Sequence, residues 1–305
     1  MIKKIILILL FSYTINVYAQ KEIPLYEGTV LNSKPCAKKE ATPEPGKVGG
    51  ITNPSLFVYI PAVQDSMKTA VIVCPGGGYA RLAINHEGHD IAKEFNKRGI
   101  TAFVLRYRNP IDSECVVNKE VVAFQDAQQA IKIVRERAAE FGINPNLLGM
   151  MGFSAGGHLT STVITHFTTT VIENPNNTSL RPDFAVLGYP VISFQDSLAH
   201  MGSRNNMLGK NPSKEKIDLY SNDLQVTPQT PPTFLVHAAD DKAVKVENSI
   251  LFYLALLKNK VPAEMHLFQK GNHGFGLNNK AEPISWFNNV LVWMKANQFM
   301  KGNVQ

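Results

Sequence analysis

The amino-acid sequence predicts an α/β protein whose mostly parallel β-sheet is covered by helices on both faces. Short apolar segments of strand length alternate along the chain with longer segments whose apolar residues recur every three or four positions. Some of the short segments, such as residues 70–74, are apolar throughout, which is typical of strands buried on both faces. Strands that alternate with helices in this way predict a parallel sheet.

The first 19 residues have the pattern of a secretory signal peptide. Lys3 and Lys4 precede an apolar run over residues 5–11, and small residues occupy the −3 and −1 positions of a cleavage site after Ala19. The run is too short to span a bilayer as a stable helix, although an N-terminal anchor is the alternative. We therefore expect an exported protein, periplasmic or secreted, whose mature chain starts at Gln20.

The rest of the chain is expected to form an irregular arm over residues 20–50 and one domain over residues 51–305. Strands are predicted in that domain at residues 56–60, 70–74, 100–105, 147–153, 184–189, 233–237 and 264–269. Helices are predicted at residues 91–98, 121–138, 246–259 and 284–300, with another after residue 153. Residues 191–231 contain no clear strand, so we expect a small insertion over the sheet edge.

Charge and cysteine content exclude some functions. The formal net charge of +6 comes from scattered Lys and Arg residues without a basic block, so nucleic-acid binding is not expected. The three cysteines show neither a disulfide framework nor metal-ligand spacing. Cys74 is expected to be a buried thiol, whereas pairing of Cys36 with Cys115 is left open. No segment after residue 20 is predicted to insert in a membrane.

Residues 152–156 read Gly-Phe-Ser-Ala-Gly and match the G-x-S-x-G pattern of a serine nucleophile. The serine in such a turn joins a strand to a helix, and the glycines on either side allow the close approach of backbone that this requires. A tight Gly-Ser turn without chemistry is the alternative. Because a predicted strand precedes the motif and a helix-forming segment follows it, the sequence favours Ser154 as a nucleophile.

A serine hydroxyl needs a histidine to remove its proton and an acid to orient that histidine. Both are expected later in the chain, the acid first. Asp240 and Asp241 follow the strand predicted at residues 233–237, and His273 lies in a glycine-rich loop after the next strand. The order is therefore Ser154, one of the two aspartates, and His273.

Three glycines after the strand at residues 70–74 are expected to form an oxyanion hole. The N–H groups of Gly77, Gly78 and Ala155 would receive the developing negative charge. The segment does not have the pattern of a nucleotide-binding loop, because no Gly-Lys-Ser/Thr follows it and no G-x-G-x-x-G occurs. No cofactor is expected.

The motifs at residues 74–79, 85–90, 103–108 and 152–158, with the Asp241 and His273 loops, resemble a bacterial family of α/β-hydrolases. Its members are usually described as acetyl xylan esterases, feruloyl-type esterases or, loosely, xylanases. The resemblance runs from about residue 51 to the last helix. It implies the α/β-hydrolase fold and a serine carboxylesterase, a carboxylic ester hydrolase acting on acetyl esters of plant polysaccharide or its oligosaccharides.

The family pattern also selects the acid. In it, the aspartate stands four residues after a histidine in His-Gly-x-x-Asp-x-x-Val. His237 and Asp241 have this spacing, with Ala238 in place of glycine, so the resemblance implies Asp241. Related lipases and esterases begin the oxyanion loop with His, where this chain has Pro75.

Several other residues receive a prediction. Tyr79, His86 and Glu87 are expected to contact substrate at the pocket mouth, and the spacing of His86 and His89 does not fit a metal site. His158 is expected to be packed, and His237 to stabilise a loop. Trp286 and Trp293 are expected to pack in the core, and Asp240 is expected to cap a loop. Arg106 and Arg108 are expected to contact either an acidic group on a sugar or the side chains of Asp112 or Glu114.

Two other functions compete with ester hydrolysis on polysaccharide. One is peptide hydrolysis or general lipase-like ester hydrolysis by the same three residues. Peptidases of this type usually carry a large second domain, which this chain lacks before its predicted core. The other is a non-catalytic glycan-binding protein that has lost its activity, which an intact set of catalytic motifs disfavours. The sequence does not predict an oligomeric state.

Overall fold

The computed structural model describes residues 21–301, so the predicted signal peptide over residues 1–19 lies outside the described residues. Eight strands form one sheet: β1 Lys21–Pro24, β2 Ser55–Tyr59, β3 Ala70–Cys74, β4 Thr101–Arg106, β5 Leu148–Phe153, β6 Phe184–Gly188, β7 Thr233–Ala238 and β8 Ala263–Phe268. The helices are α1 Asp90–Lys97, α2 Val122–Glu136, α3 Ala138–Phe141, α4 Ser154–His166, α5 Met201–Leu208, α6 Lys214–Leu219, α7 Glu247–Lys258 and α8 Trp286–Ala296. Between residues 21 and 301 we find no helix with the length and hydropathy needed to span a bilayer.

The strands lie in the order β1-β2-β4-β3-β5-β6-β7-β8. The six strands from β3 to β8 are parallel, and β2 and β1 extend the sheet in antiparallel pairing. Every residue of β3, β5, β6 and β7 is buried. This confirms the predicted mostly parallel, doubly covered sheet. Because β3, β5, β7 and β8 end at the same edge, the loops that follow them meet there.

The helices bury the apolar faces that their sequence spacing predicts. The ring of Phe95 on α1 packs against the ring of Phe287 on α8, with centroids 4.8 Å apart. Trp286 and Trp293 are buried in the core, as expected. The segment 191–231 forms α5, α6 and a 3-10 turn but no strand, which agrees with the predicted insertion.

The prediction of an irregular arm over residues 20–50 is wrong at its start. Residues 21–24 form strand β1, which pairs with β2 so that Lys21 lies opposite Val58. The strand has only four residues, and Ile23 is the one that is buried. A single buried side chain gives the sequence no alternation of apolar and polar residues by which a strand could be predicted. Lys and Pro are tolerated because β1 is an edge strand.

Several contacts fasten the rest of the arm to the domain, among them a disulfide and a hydrogen bond from a buried arginine. Cys36 and Cys115 form a disulfide, which decides the pairing that the sequence left open. Arg108 Nη2 is 2.6 Å from Asp126 Oδ1 in a buried ion pair, and its Nη1 donates to the carbonyl of Leu31 in the arm. Cys74 is a buried free thiol, as expected, and burial raises its pKa to about 12.

Both partner predictions for the two arginines are wrong. Arg106 pairs with Glu40 of the arm, and Arg108 with Asp126, so neither reaches the pocket or the 112–114 segment. Lys38 of the arm pairs with Asp112 instead, at 2.9 Å. The sequence could not show these pairs, because each joins a residue of the arm or of α2 to the end of strand β4 or to the loop that follows it.

Candidate active site

Strand β5 leads directly into helix α4 at Ser154, whose backbone φ of 51° lies in the left-handed region. The glycines of the motif are required sterically. A Cβ on Gly152 would lie 2.1 Å from the carbonyl oxygen of Gly156, and a Cβ on Gly156 would lie 2.1 Å from that of Cys74. The turn holds Ser154 in a conformation that costs non-glycine residues energy, at the edge where the strands end.

The structure brings the three predicted residues together. His273 Nε2 lies 2.9 Å from Ser154 Oγ, and its Nδ1 lies 2.6 Å from Asp241 Oδ2. The serine hydroxyl can donate to Nε2 while Nδ1–H donates to the carboxylate. This is the arrangement in which a histidine activates a serine and an acid holds the tautomer.

Asp241 is held by four donors. Its Oδ1 accepts the N–H groups of Ala243 and Val244 at 2.9 Å, and its Oδ2 accepts from His237 and His273. Burial acts to raise the pKa of Asp241, but the hydrogen bonds from His237 and His273 outweigh it and hold the pKa well below its ordinary value. Asp241 is therefore an anion at neutral pH.

Asp240 has the structural task that the sequence suggested for it. Its Oδ1 accepts the N–H groups of Gly271 and Asn272 at 2.8 Å, so it caps the loop that carries His273. The geometry agrees with the choice of Asp241 over Asp240 as the partner of the histidine.

His237 stabilises its loop, as expected, but also contacts the acid itself. Its Nδ1 lies 2.8 Å from Ser249 Oγ, and its Nε2 lies 3.1 Å from both Asp241 Oδ2 and the carbonyl oxygen of Val244. Because Val244 O can only accept, Nε2 carries the proton and Nδ1 accepts from the serine. The four-residue spacing to Asp241 was the signal for this contact.

The three predicted oxyanion donors lie beside Ser154. Gly77 and Gly78 line its cavity, and no hydrogen bond among residues 21–301 uses either N–H. The N–H of Ala155 belongs to the first turn of α4, where helix geometry provides no acceptor. The N–H of Gly76, by contrast, donates to Glu87 Oε2 at 2.8 Å.

Tyr79 does not line the pocket, so its predicted substrate contact is wrong. Its side chain is 1% exposed, and its hydroxyl lies 2.9 Å from His158 Nδ1. The chain passes through a φ of 59° at Tyr79 and places the ring in the core beneath the glycine loop. His158 is packed, as expected, and burial lowers its pKa to about 4.

His86 and Glu87 do line the cavity, but only His86 is substantially exposed. Glu87 Oε1 accepts from the hydroxyl of Tyr189 at 2.9 Å, and that hydroxyl accepts the N–H of Gly276 at 3.0 Å. Because Glu87 also accepts from Gly76, it links the oxyanion loop, which holds Gly76 to Gly78, to the histidine loop, which holds His273 and Gly276. Sequence reasoning missed Tyr189, which carries no motif.

The cavity that contains Ser154 and His273 has a volume of about 460 Å³. Sequence reasoning also missed His200 and Asn206, which the insertion contributes to its wall. Among the described residues that line it there is no Leu, Ile, Val, Met, Phe, Tyr or Trp side chain. The full lining consists of Lys47, Gly77, Gly78, Ala80, Arg81, Ala83, His86, Glu87, Ser154, His200, Gly202, Asn206, His273 and Gly274. Within residues 21–301, no cluster of three His, Cys, Asp or Glu side chains could hold a metal ion.

Sequence comparison finds similar proteins over most of the chain. The BD-FAE family model matches residues 56–256. The endo-1,4-beta-xylanase B of Butyrivibrio fibrisolvens is 36% identical over 76% of this chain and 36% of its own length. The acetylxylan esterase of Xylanibacter ruminicola is 36% identical over 70% of this chain and 42% of its own length. The chain thus spans about two fifths of these curated relatives.

Solved structures extend the similarity to almost the whole chain. The acetyl ester-xyloside bifunctional hydrolase of Caldicellulosiruptor lactoaceticus has a TM-score of 0.78 and 38% identity, covering 92% of this chain and 98% of that one. The carboxylesterase Cest-2923 of Lactobacillus plantarum has a TM-score of 0.66 at 22% identity, covering 87% and 98% of the two chains, and shows the fold alone. The solved structures confirm the predicted α/β-hydrolase fold. The acetylxylan esterase and the bifunctional hydrolase support, for the shared domain, the predicted class of carboxylic ester hydrolase.

Proposed function

Since the chain belongs to the BD-FAE family, we propose that it is a serine esterase that removes acetyl groups from plant polysaccharide, in particular xylan, or from its oligosaccharides. The observation that carries this proposal is the lining of the cavity beside Ser154. Alanine, glycine and polar side chains suit a two-carbon acyl group and a polyhydroxylated alcohol. A long or aromatic acyl group would need an apolar wall.

In the proposed reaction, Ser154 Oγ attacks the ester carbonyl carbon while its proton passes to His273 Nε2. The N–H groups of Gly77, Gly78 and Ala155 donate to the resulting oxyanion. Collapse of this intermediate breaks the bond to the sugar oxygen, which takes the proton from His273. Water then attacks the acetyl group on Ser154 and gives a proton to His273. The bond between the acetyl carbon and Ser154 Oγ breaks, Oγ takes the proton from His273, and acetate is released. Asp241 orients the imidazole and stabilises its cationic form.

The test is acetate release from acetylated xylan and hydrolysis of p-nitrophenyl esters of increasing acyl length. We expect wild-type activity to be highest with acetate and to fall steeply by the octanoate. Ser154→Ala should lower kcat at least about 1,000-fold with an unchanged circular dichroism spectrum. Folded wild-type protein without activity on any ester would refute the proposal.

The same assay separates the competing functions. A lipase-like esterase would prefer long acyl chains, although no large apolar side chain among the described residues lines the cavity. A peptidase would release the dye from aminoacyl p-nitroanilides. A glycan-binding protein without activity would bind xylo-oligosaccharides but leave Ser154 unlabelled by a fluorophosphonate.

We also propose that the protein acts outside the cytosol. The signal-like pattern over residues 1–19 and the Cys36–Cys115 disulfide support this, since disulfides persist in oxidising compartments. Cell fractionation with N-terminal sequencing of the mature protein tests it. Recovery in the cytosol with Met1 retained would contradict it.

A further inference from the structure

One wall of the cavity comes from the insertion and carries a histidine that the proposed reaction does not use. His200 precedes helix α5 and caps it, because its Nδ1 accepts the N–H of Ser203 at 3.2 Å. The hydroxyl of Ser203 lies 2.8 Å from the same nitrogen. Since Nδ1 accepts from a backbone N–H, the proton of the neutral ring resides on Nε2.

The ring lies in the wall of the cavity that also contains the reacting groups. His200 lines the cavity together with Ser154 and His273, and its Cε1 lies 3.9 Å from the point where a Cβ of Gly78 would be. Among residues 21–301 no hydrogen bond uses Nε2. Burial first, and then the neighbouring His273, lower the pKa of His200, so the ring is a neutral donor at neutral pH.

The insertion also holds the glycine next to this ring. Asn206, on the same helix α5, donates from Nδ2 to the carbonyl oxygen of Gly78 at 2.8 Å. The wall is therefore tied to the oxyanion loop, and the distance between His200 and that loop is fixed. A donor held in this way is suited to recognise a group that lies close to the ester bond.

An acetyl ester presents few acceptors to such a donor. In the proposed reaction its carbonyl oxygen already accepts hydrogen bonds from the N–H groups of Gly77, Gly78 and Ala155. Its methyl group cannot accept a hydrogen bond. The sugar that carries the ester, in contrast, offers hydroxyl and ring oxygens near the acylated position. The acceptor for Nε2–H therefore belongs to the alcohol side of the substrate.

We propose that His200 is a specificity-determining residue whose Nε2–H donates a hydrogen bond to a hydroxyl or ring oxygen of the acetylated sugar. This inference rests on the proposed function and extends it to the alcohol side of the site. It implies that the insertion, and not the hydrolase core, selects sugar esters over simple alkyl or aryl acetates.

Two substitutions distinguish the role of His200 Nδ1 as the cap of helix α5 from the proposed role of Nε2–H as a hydrogen-bond donor to the sugar. His200→Asn keeps an acceptor that can cap Ser203, since asparagine is a preferred N-cap residue, but its side chain does not reach the position of Nε2. His200→Gln places an amide N–H near that position and gives up the cap. The two variants are compared with wild type on an acetylated xylo-oligosaccharide and on p-nitrophenyl acetate, whose alcohol has no hydroxyl neighbours.

We expect His200→Asn to lower kcat/KM about tenfold for the sugar ester and less than twofold for p-nitrophenyl acetate, as for loss of one hydrogen bond. His200→Gln should stay within about threefold of wild type on the sugar ester despite a lower melting temperature. The inference would be overturned if His200→Asn lowered kcat/KM equally on both substrates or on neither. It would also be overturned if His200→Gln were as weakly active on the sugar ester as His200→Asn. Wild-type protein inactive on both esters would instead refute the proposed function, and this inference with it.

Discussion

At the residue scale, Glu87 connects the two loops that converge on Ser154. Its carboxylate accepts from Gly76 in the oxyanion loop and from Tyr189, whose hydroxyl in turn accepts from Gly276 in the histidine loop. Both oxygens are engaged and the side chain is buried, so Glu87 is a positioning residue. A change in its hydrogen-bonding capacity alters the relative placement of the oxyanion donors and the base.

Replacing Glu87 by glutamine tests this role. Gln retains the shape but replaces one acceptor oxygen by an NH₂ donor, so either the hydrogen bond from Gly76 is lost or the Tyr189 hydroxyl must turn from donating to accepting. We expect kcat on p-nitrophenyl acetate to fall about tenfold or more, with KM changed less than threefold. Glu140→Gln, an exposed carboxylate on the surface, serves as the matched control and should leave both constants unchanged. An unaltered kcat in Glu87→Gln would contradict the positioning role.

The depressed pKa of Asp241 predicts a pH dependence of stability. A carboxyl group whose pKa is lowered by folding stabilises the native state above its unfolded pKa of about 4, and this contribution is lost as pH falls below that value. Asp241→Asn should remove it, so that the free energy of unfolding falls less between pH 5 and 3 than in wild type, by about 1 kcal/mol. Urea titrations across this range measure the difference. Parallel pH profiles for the two proteins would contradict the prediction.

The residues of the candidate site were predictable where a motif fixes their spacing. Ser154, Asp241 and His273 follow strands of the sheet in the order that a serine hydrolase needs, so strand positions alone bring them to one edge. Tyr79 was misplaced because a backbone turn, which no motif specifies, decides whether its ring faces the pocket or the core. His200 was missed because the insertion has no pattern that fixes its path over the sheet.

At the element scale, the crossing of β5 and α4 beneath the oxyanion loop leaves no space for a side chain. A Cβ on Gly156 would lie 2.1 and 2.5 Å from the carbonyl oxygens of Cys74 and Pro75, both of them backbone atoms. The backbone of the loop would have to move, and the donors of Gly77 and Gly78 would move with it. Packing and catalysis are therefore coupled at this glycine.

Gly156→Ala is accordingly expected to destabilise the fold by about 3 kcal/mol or more and to lower activity in parallel. Gly28→Ala is the control, because a Cβ there meets nothing within 4 Å and only its φ of 81° opposes the substitution. That variant should lose about 1 kcal/mol and keep its activity. Urea unfolding and ester hydrolysis measure both effects. Similar losses of stability in the two variants would argue against the steric explanation.

Helices and strands were predictable where burial of their faces produces a regular spacing, or an unbroken run, of apolar residues in the sequence. Strand β3 is apolar at all five residues and was located in full, because both faces of the sheet are covered. Strand β1 buries one side chain in four, and hydrogen bonding to β2 rather than side-chain burial defines it. Such a strand has no hydrophobic pattern to detect.

At the scale of the whole molecule, the arm is attached at several separate points. Strand β1 extends the sheet, the Cys36–Cys115 disulfide closes a chain separation of 79 residues, and the buried Arg108 bonds the carbonyl of Leu31. The sequence contained both cysteines and the arginine, but nothing in it paired residues so far apart. The arm completes the domain and contributes Lys47 to the cavity wall.

Loss of the disulfide should therefore weaken the entire fold. We expect Cys36→Ala with Cys115→Ala to lower the free energy of unfolding by about 2–4 kcal/mol, since the cross-link restricts the unfolded chain. Iodoacetamide should leave native wild-type protein unmodified, because burial raises the pKa of Cys74 to about 12. Denaturant titration and mass spectrometry provide the two readouts. An unchanged unfolding midpoint in the double variant, or rapid labelling of native Cys74, would contradict these expectations.

The left-handed backbone at Ser154 sets activity against stability at a single position. A φ of 51° costs a serine on the order of 1 kcal/mol that a glycine would not incur. Ser154→Gly should therefore abolish ester hydrolysis and yet unfold at a higher urea concentration than wild type. The same backbone turn that brings the Ser154 hydroxyl within 2.9 Å of His273 Nε2 thus lowers the stability of the fold.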